Sequence, residues 1–327
     1  MEKSSLAKSM QAVHAACDRV AQHIQGEEKY GHTSHLTVQI AGSLIYDTHF
    51  TGPELADVYS VTKTVLATLV GVAQRERRMP PLDDPVSDVL SELRGTPAAA
   101  HSWRHLLTMT RGSQTDGPWD IDEIVALPSG QVGHIAQAPQ LTPPGAVFSY
   151  DNASAHLISA GLEEVVGCAV ADYAERVLFR PLGIEDYDWL ADRAGISFGH
   201  AHLKLRAHGL LKLGTLWLNG GAWNGESLVD PRYLRDMTTA QSSGGPPEFL
   251  GYGYLTWIGH GYFLASGWAG QHVIVSPPHQ AIVVLTGDPQ FSFGPPPSDA
   301  LPPGWMSALH LVKHHLLPTF DEPSGDT

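Results

Sequence analysis

Cysteine, positive charge and long apolar runs are all scarce in this sequence. Its 327 residues include only Cys17 and Cys168, which are too few for a disulfide framework. Lysine and arginine number 20 against 34 acidic residues, and the formal net charge of −14 disfavours nucleic acid and anionic membranes as partners. No stretch approaches the roughly 20 apolar residues of a membrane span. The first 25 residues carry no apolar signal core, so we expect a cytoplasmic protein.

The sequence does contain enough apolar residues for a large core. Hydrophobic residues make up 43% and charged residues 17%, which indicates a globular chain, and the length favours two lobes. Helical patterns cover Ser5–Gln25, Ala201–Leu218 and Met306–Leu317, and a Pro/Gly/Ser loop covers Phe291–Pro303. Strand patterns near both ends flank a helical middle. We therefore expect an α+β fold, with one antiparallel sheet flanked by helices and an inserted all-helical lobe.

The predicted domain division follows from that order of segments. Residues 1–80 and 200–327 are assigned to the sheet domain, and residues 81–199 to the helical lobe. The active site is expected in the cleft between them.

The most informative segment is Ser60-Val61-Thr62-Lys63, at the start of an apolar helical pattern. Residues three apart share one face of a helix, so Lys63 can lie beside the Ser60 hydroxyl. Burial lowers the pKa of a lysine, and the neutral amine is the base that a serine nucleophile needs. The helix N-terminus adds N–H groups that suit a developing oxyanion. Ser-x-x-Lys also occurs by chance, so the motif alone is weak.

Two further segments extend this hypothesis. Tyr150-Asp151-Asn152 opens another helical pattern. Beside a protonated lysine, Tyr150 can be held as a phenolate and act as a general base and acid; the alternative is an ordinary packed tyrosine. In the segment 266–271, glycines permit close approach of a substrate, and the N–H of Gln271 is a candidate oxyanion donor beside that of Ser60. The alternative there is a plain hairpin turn.

In this order, the three segments resemble the motifs of the serine β-lactamase and penicillin-binding-protein superfamily. The resemblance is strongest to the branch of class C β-lactamases, family VIII carboxylesterases and 6-aminohexanoate-dimer hydrolases. Ser60–Lys63 matches Ser-x-x-Lys, Tyr150–Asn152 matches Tyr-x-Asn, and Trp268-Ala269-Gly270 occupies the place of Lys-Thr-Gly. The resemblance implies a β-lactamase/transpeptidase-like fold and acyl-enzyme chemistry without a cofactor.

Roles for individual residues follow from the resemblance. It implies that Ser60 is the nucleophile, Lys63 its base or proton relay, and Tyr150 the partner base and acid. Asn152 is then expected to orient Lys63 or the substrate. Trp268 and Gly270 are expected at the substrate, with Gln271 at the oxyanion.

The tryptophan in the third motif departs from the superfamily pattern, which often has lysine or histidine there. An indole offers an apolar face and one N–H, but no positive charge to pair with a carboxylate. Trp268 therefore disfavours a β-lactamase or a D-alanyl-D-alanine peptidase. It favours a hydrolase of small esters or amides with an apolar or aromatic part.

Two other functions stay open at this point: an acyltransferase that uses the same residues, and a non-catalytic binding protein on the same fold. No metal is expected, although His310, His314 and His315 have helical spacing, because no cysteine or carboxylate cluster accompanies them. The oligomeric state is left open.

Overall fold

A computed structural model describes residues 2–291 and 304–321, so all but the first residue of the predicted loop Phe291–Pro303 lies outside the described residues. Its helices are α1 (Glu2–Gly26), α2 (Val61–Arg75), α3 (Trp103–Leu107), α4 (Ile121–Ala126), α5 (Gln131–Ala136), α6 (Asn152–Val166), α7 (Val170–Ala174), α8 (Arg180–Leu182), α9 (Ala207–Leu218), α10 (Pro231–Met237), α11 (Leu309–Leu311) and α12 (Pro318–Asp321). Two π-helical segments, Glu175–Phe179 and Val312–Leu316, continue α7 and α11.

The strands are shorter and concentrate toward both ends of the chain. They are β1 (Thr33–Ile40), β2 (Ser43–His49), β3 (Ala56–Asp57), β4 (Tyr187–Trp189), β5 (Leu203–Leu205), β6 (Ala222–Trp223), β7 (Glu226–Ser227), β8 (Ser242–Gly245), β9 (Leu250–Tyr252), β10 (Trp257–Ile258), β11 (Phe263–Gly267), β12 (Gln271–Ser276) and β13 (Ala281–Gly287).

Eight of these strands form one antiparallel sheet in the order β2-β1-β13-β12-β11-β10-β9-β8. Val38 of β1 lies opposite Val283 of β13, so strands from distant parts of the chain are neighbours. Every residue of β12 and β13 is buried, and α9 packs against both strands. This arrangement confirms the predicted α+β fold with a helix-flanked antiparallel sheet.

Helix α2 passes through the centre of the molecule. All of its residues from Val61 to Ala73 are buried, because it packs against β11 and α6. Polar side chains of this helix find partners in neighbouring elements: Thr64 Oγ1 donates to Leu255 O at 2.8 Å, and Thr68 Oγ1 accepts from Trp217 Nε1 at 2.9 Å. A lysine on the first turn of such a helix is therefore shielded from water.

The start of the predicted helix Ala201–Leu218 is wrong. Leu203–Leu205 forms β5, which pairs with β3 on one side and β4 on the other, and the helix begins only at Ala207. The physical reason is alternation: Leu203 and Leu205 are buried, whereas Lys204 lies between them and pairs with Asp188 at 2.8 Å.

The segment 81–199, predicted to be all-helical, also contains strand β4. The rest of this segment is helical or irregular apart from isolated β-bridges. Because β4 pairs with β5, that segment is joined to the rest of the chain at its C-terminal end. The domain division at residues 80 and 200 stays a prediction.

The two cysteines do not form a disulfide. Cys17 is buried and Cys168 partly buried, and both are free thiols.

Across residues 2–291 and 304–321, no single helix has the length and hydropathy to cross a membrane; one pair, Asn152–Val166 with Val170–Leu182, meets both criteria jointly but is bent by 68°. The same ranges hold no group of three or more His, Cys, Asp or Glu placed to bind a metal.

Candidate active site

Ser60 and Lys63 lie side by side at the N-terminus of α2. Lys63 Nζ is 2.7 Å from Ser60 Oγ and donates a second hydrogen bond to His200 O at 2.8 Å. The side chain of Lys63 is fully enclosed, and this burial lowers its pKa to about 7, although the Asp151 carboxylate acts in the opposite direction. Near neutral pH a substantial fraction of the amine is therefore unprotonated and can accept the Ser60 proton.

A strained residue precedes the serine. Tyr59 has a φ of +45°, in the left-handed region that bulky residues seldom adopt. The turn is held by Asp57, whose Oδ1 accepts from Tyr59 N–H at 2.7 Å and whose Oδ2 lies 2.9 Å from His202 Nδ1. Surrounding contacts that impose such a conformation are common at functional sites. Here they fix the direction in which the chain enters α2 at Ser60.

Tyr150 is the third member of this group. It lines the same cavity as Ser60, and its ring stacks on Trp257 with centroids 5.6 Å apart. Lys63 Nζ lies 5.1 Å from the centroid of the Tyr150 ring. The structure thus brings together the hydroxyl, the amine and the phenol that the sequence motifs nominate.

Of the two alternatives for Tyr150, the resting site does not favour the phenolate. Burial raises the pKa of Tyr150 above its usual value, and the nearby Glu248 carboxylate acts in the same direction. The phenol therefore rests protonated and is not a phenolate beside a lysine ammonium. Desolvation has the stronger effect on both groups: it favours the neutral phenol of Tyr150 and the neutral amine of Lys63.

Asp151 anchors the segment that carries Tyr150. As N-cap of α6, its Oδ1 accepts from Ala153 N–H at 3.0 Å, and its Oδ2 accepts from Ser154 Oγ at 2.5 Å and from Arg111 Nε. Arg111 and Asp151 are both buried. This network fixes the residues on either side of Asp151, which both line the cavity beside Ser60.

Asn152 is one of those two residues, and two roles were predicted for it. Its Oδ1 is buried and has no hydrogen-bond partner in the part of the chain that the structure describes. Lys63 directs its hydrogen bonds to Ser60 and His200. Of the two roles, contact with a substrate fits this placement better than orientation of Lys63.

The third motif lies three residues earlier than predicted. A Cβ added to Gly267 would lie 2.4 Å from Val58 O and 3.2 Å from Ser60 N, so only glycine lets β11 approach the nucleophile this closely. Gly270 lines the cavity too, but with a φ of +85° it serves the turn between β11 and β12. The segment next to Ser60 is therefore Ala265-Ser266-Gly267 and not Trp268-Ala269-Gly270.

This shift also removes Gln271 from the candidate oxyanion site. Gln271 is fully buried, and its Nε2 donates to Gly287 O at 2.8 Å while its Oε1 accepts from Gly287 N–H at 3.3 Å. It is absent from the cavity lining among the described residues. The N–H that directly follows Gly267 belongs to Trp268, whose backbone replaces Gln271 as the candidate second donor.

A cavity of about 460 Å³ opens onto these groups. Its aromatic and apolar wall includes Tyr150, Trp257, Trp268, Trp305 and Leu309. Its polar side chains include Ser60, Asn152, Glu248, Ser266, His272 and Ser307. Sequence reasoning missed Glu248 and His272 entirely, because no local motif surrounds either residue.

Comparison with known proteins gives one family match and several similar folds. The sequence model of the family Beta-lactamase matches residues 36–293. No curated protein matches the sequence.

Several solved structures share the fold. A Bacillus anthracis protein described by similarity as a 6-aminohexanoate-dimer hydrolase has 22% identity and a TM-score of 0.72, covering 88% of this chain and 79% of that chain. EstCE1, described as a hydrolase with promiscuous acyltransferase activity, has 18% identity and a TM-score of 0.68, covering 85% and 94%. SurE, solved with D-Leu, has 22% identity and a TM-score of 0.71, covering 98% and 78%. At these identities the likeness concerns the fold.

Proposed function

The chain belongs to the beta-lactamase family, and from this premise we propose that it is a serine acyl-enzyme hydrolase that cleaves an ester or amide bond of a small molecule. The observation that carries the proposal is the 2.7 Å separation of Lys63 Nζ from Ser60 Oγ, with Lys63 buried so that its pKa falls to about 7. A neutral amine at that distance is a competent general base.

In the acylation step, Ser60 Oγ attacks the carbonyl carbon while its proton passes to Lys63 Nζ. The oxyanion that forms is stabilised by the backbone N–H groups of Ser60 and Trp268. The close approach of Gly267 to Ser60 N supports the placement of these two N–H groups side by side. The carbon–leaving-group bond then breaks, and the Tyr150 hydroxyl gives its proton to the departing group. The products are the acyl-serine, a lysine ammonium, a phenolate and the free alcohol or amine.

In the deacylation step, the charges created by acylation are used again. The Tyr150 phenolate, now beside the Lys63 ammonium, takes a proton from water as the water oxygen attacks the acyl-serine. When the bond to Ser60 Oγ breaks, Lys63 returns its proton to that oxygen. The carboxylic acid leaves, and all three side chains regain their resting protonation states.

The cavity supports a substrate with an apolar or aromatic part. Three tryptophans line it, and no lysine or arginine does so among the described residues. Penicillins and peptide C-termini carry a carboxylate that such a wall cannot pair. We therefore rank a β-lactamase or D-alanyl-D-alanine peptidase below an esterase or amidase.

An acyltransferase is the second candidate, because an amine or alcohol can replace water in deacylation without a change of residues. The solved structure of EstCE1, a hydrolase with promiscuous acyltransferase activity, shares this fold. Product analysis separates the two. Exclusive formation of the carboxylic acid at high acceptor concentration would exclude transfer.

The proposed function is tested by covalent labelling. We expect a fluorophosphonate to add one adduct to the intact protein, located on Ser60 by peptide mass spectrometry, and p-nitrophenyl esters to be hydrolysed. Ser60→Ala should lose both properties, whereas Ser91→Ala, which alters an exposed serine of a distant turn, should keep them. Absence of any adduct on the wild-type protein would favour the non-catalytic binding alternative.

A further inference from the structure

One acidic side chain faces the cavity without a cationic partner. Glu248 lines the wall and is partly exposed, and no lysine or arginine forms a salt bridge with it in the ranges 2–291 and 304–321. His272, which also lines this wall, is buried, which lowers its pKa to about 3 and leaves the imidazole neutral. The cavity therefore carries one uncompensated negative charge.

Hydrogen bonds hold this carboxylate in place. Ser266 Oγ donates to Glu248 Oε1 at 2.6 Å, and the same hydroxyl lies 3.2 Å from His272 Nδ1. His272 Nε2 is in turn 2.8 Å from Ser307 Oγ. Because Ser266 directly precedes Gly267, the chain of contacts ties Glu248 to the strand that abuts Ser60.

Two acceptor oxygens on this wall lack a donor within the described residues. Glu248 uses only Oε1 in its bond to Ser266, and Asn152 Oδ1 has no partner. A ligand that brings N–H donors to this wall supplies the hydrogen-bond partner that the second carboxylate oxygen of Glu248 lacks. A carboxylate does not do so, because it offers only acceptors.

The aromatic wall favours the same kind of ligand. Trp257, Trp268, Trp305 and Tyr150 surround the cavity, and the faces of such rings attract cations. A carboxylate beside aromatic rings can bind an organic ammonium group through hydrogen bonds, opposite charge and cation–π attraction.

We propose that this site selects substrates that carry a primary ammonium group, and that Glu248 binds that group. The inference rests on the proposed acyl-enzyme function and names the substrate class of the same site. Glu248 is a specificity residue in this scheme. It takes no part in the transfer of the acyl group.

Closeness to Tyr150 adds a consequence for the rate. The negative charge of Glu248 helps to keep the Tyr150 phenol protonated. A bound ammonium neutralises that charge, which makes Tyr150 a stronger acid toward the leaving group while the substrate is in place. Cationic substrates whose leaving groups need a proton should therefore show a higher kcat as well as a lower KM, whereas p-nitrophenyl esters report mainly the binding of the ammonium.

The test compares two esters of matched shape. The p-nitrophenyl ester of 4-(aminomethyl)benzoic acid carries an ammonium where that of 4-ethylbenzoic acid carries a methyl group. Each enzymatic kcat/KM is divided by the spontaneous hydrolysis rate of the same ester. We expect the wild-type protein to prefer the cationic ester by about 10- to 100-fold, as for a hydrogen bond to a charged group.

Glu248→Gln should abolish most of this preference, so that the corrected kcat/KM values of the two esters become similar. The far-UV circular dichroism spectrum and melting temperature of the variant report that it is folded. Glu226→Gln removes an equal charge from an exposed hairpin and should keep the preference. An unchanged preference in Glu248→Gln would overturn the proposal.

A binding measurement separates this inference from the proposed function. Benzylammonium should bind the wild-type protein more tightly than benzyl alcohol in calorimetry, and Glu248→Gln should lose that difference. If neither ester is hydrolysed and Ser60 is not labelled, the proposed function fails while the binding result still decides the role of Glu248. Equal binding of both ligands to the wild-type protein would refute that role.

Discussion

The Lys63 amine is bonded to two uncharged oxygens, Ser60 Oγ at 2.7 Å and the carbonyl oxygen of His200 at 2.8 Å. Among the described residues no carboxylate contacts the amine, so burial is the dominant influence and the pKa of Lys63 falls to about 7. Since only the neutral amine can accept a proton, we expect kcat/KM for a neutral ester to rise with pH through an inflection close to 7. A pH–rate profile from pH 5.5 to 9 measures this. A profile without an inflection between pH 6 and 8 would contradict the assignment of neutral Lys63 as the base.

The same burial makes a prediction about stability. Because the pKa of Lys63 is lower in the folded state, the unfolded chain binds more protons between about pH 7 and the lysine model value of 10.5, and stability contributed by this group rises with pH there. Lys63→Met removes the cost of the buried amine, about 1.4 kcal/mol for each unit of pKa shift at low pH. The stability of the variant relative to wild type should therefore be greatest near pH 6 and decline toward pH 10.

Urea denaturation at pH 6, 8 and 10 measures that difference. The comparison with wild type at each pH cancels the other titrating groups. A difference that does not change with pH would mean that Lys63 titrates alike in the folded and unfolded states.

Tyr150→Phe tests the phenol as the acid for the leaving group. We expect the rate of acylation to fall by about 10²–10⁴-fold with alkyl esters or anilides, whose leaving groups need a proton. With p-nitrophenyl esters the acylation burst should fall much less, because p-nitrophenolate leaves without one. Stopped-flow measurement of the burst isolates acylation from deacylation. Equal losses with both kinds of leaving group would assign Tyr150 a purely structural role.

Gly267→Ala tests the close approach of β11 to the nucleophile. The new Cβ would lie 2.4 Å from Val58 O, so the strand must move away and the candidate oxyanion donors separate. We expect kcat to fall by about 100-fold or more, the loss typical of one missing oxyanion donor. Gly133→Ala is a matched control, since a Cβ there meets nothing within 4 Å. Normal turnover by Gly267→Ala would contradict the assignment of this strand.

Much of the fold could be predicted because the signals are local. Ser60 begins a long apolar run that became α2, and Gly167 ends α6 in a left-handed conformation that favours glycine. The alternation in Leu203–Leu205 is a local signal as well, but three residues beside a strongly helical run are too short to be distinguished from it.

The parts of the site that the sequence did not reveal depend on contacts between distant segments. Glu248 lies on a short loop between β8 and β9 with no motif around it, and the pairing of these strands in the sheet with β11 brings it within hydrogen-bond distance of Ser266. The segment beside Ser60 begins at Ala265 and not at Trp268. This position depends on how β11 packs against α2, which cannot be read from the spacing of residues in the sequence. The resting charge of Tyr150 depends on burial, which is a property of the folded state.

Strand β13 lies between β1 and β12, so the sheet that supports β11 is complete only when residues 281–287 are in place. Ser60 emerges from the ribosome more than two hundred residues earlier, with Lys63 still hydrated and charged. In the proposed mechanism, Ser60 has no neutral amine beside it during that interval. We therefore expect the base to become available only after residues 281–287 have joined the sheet.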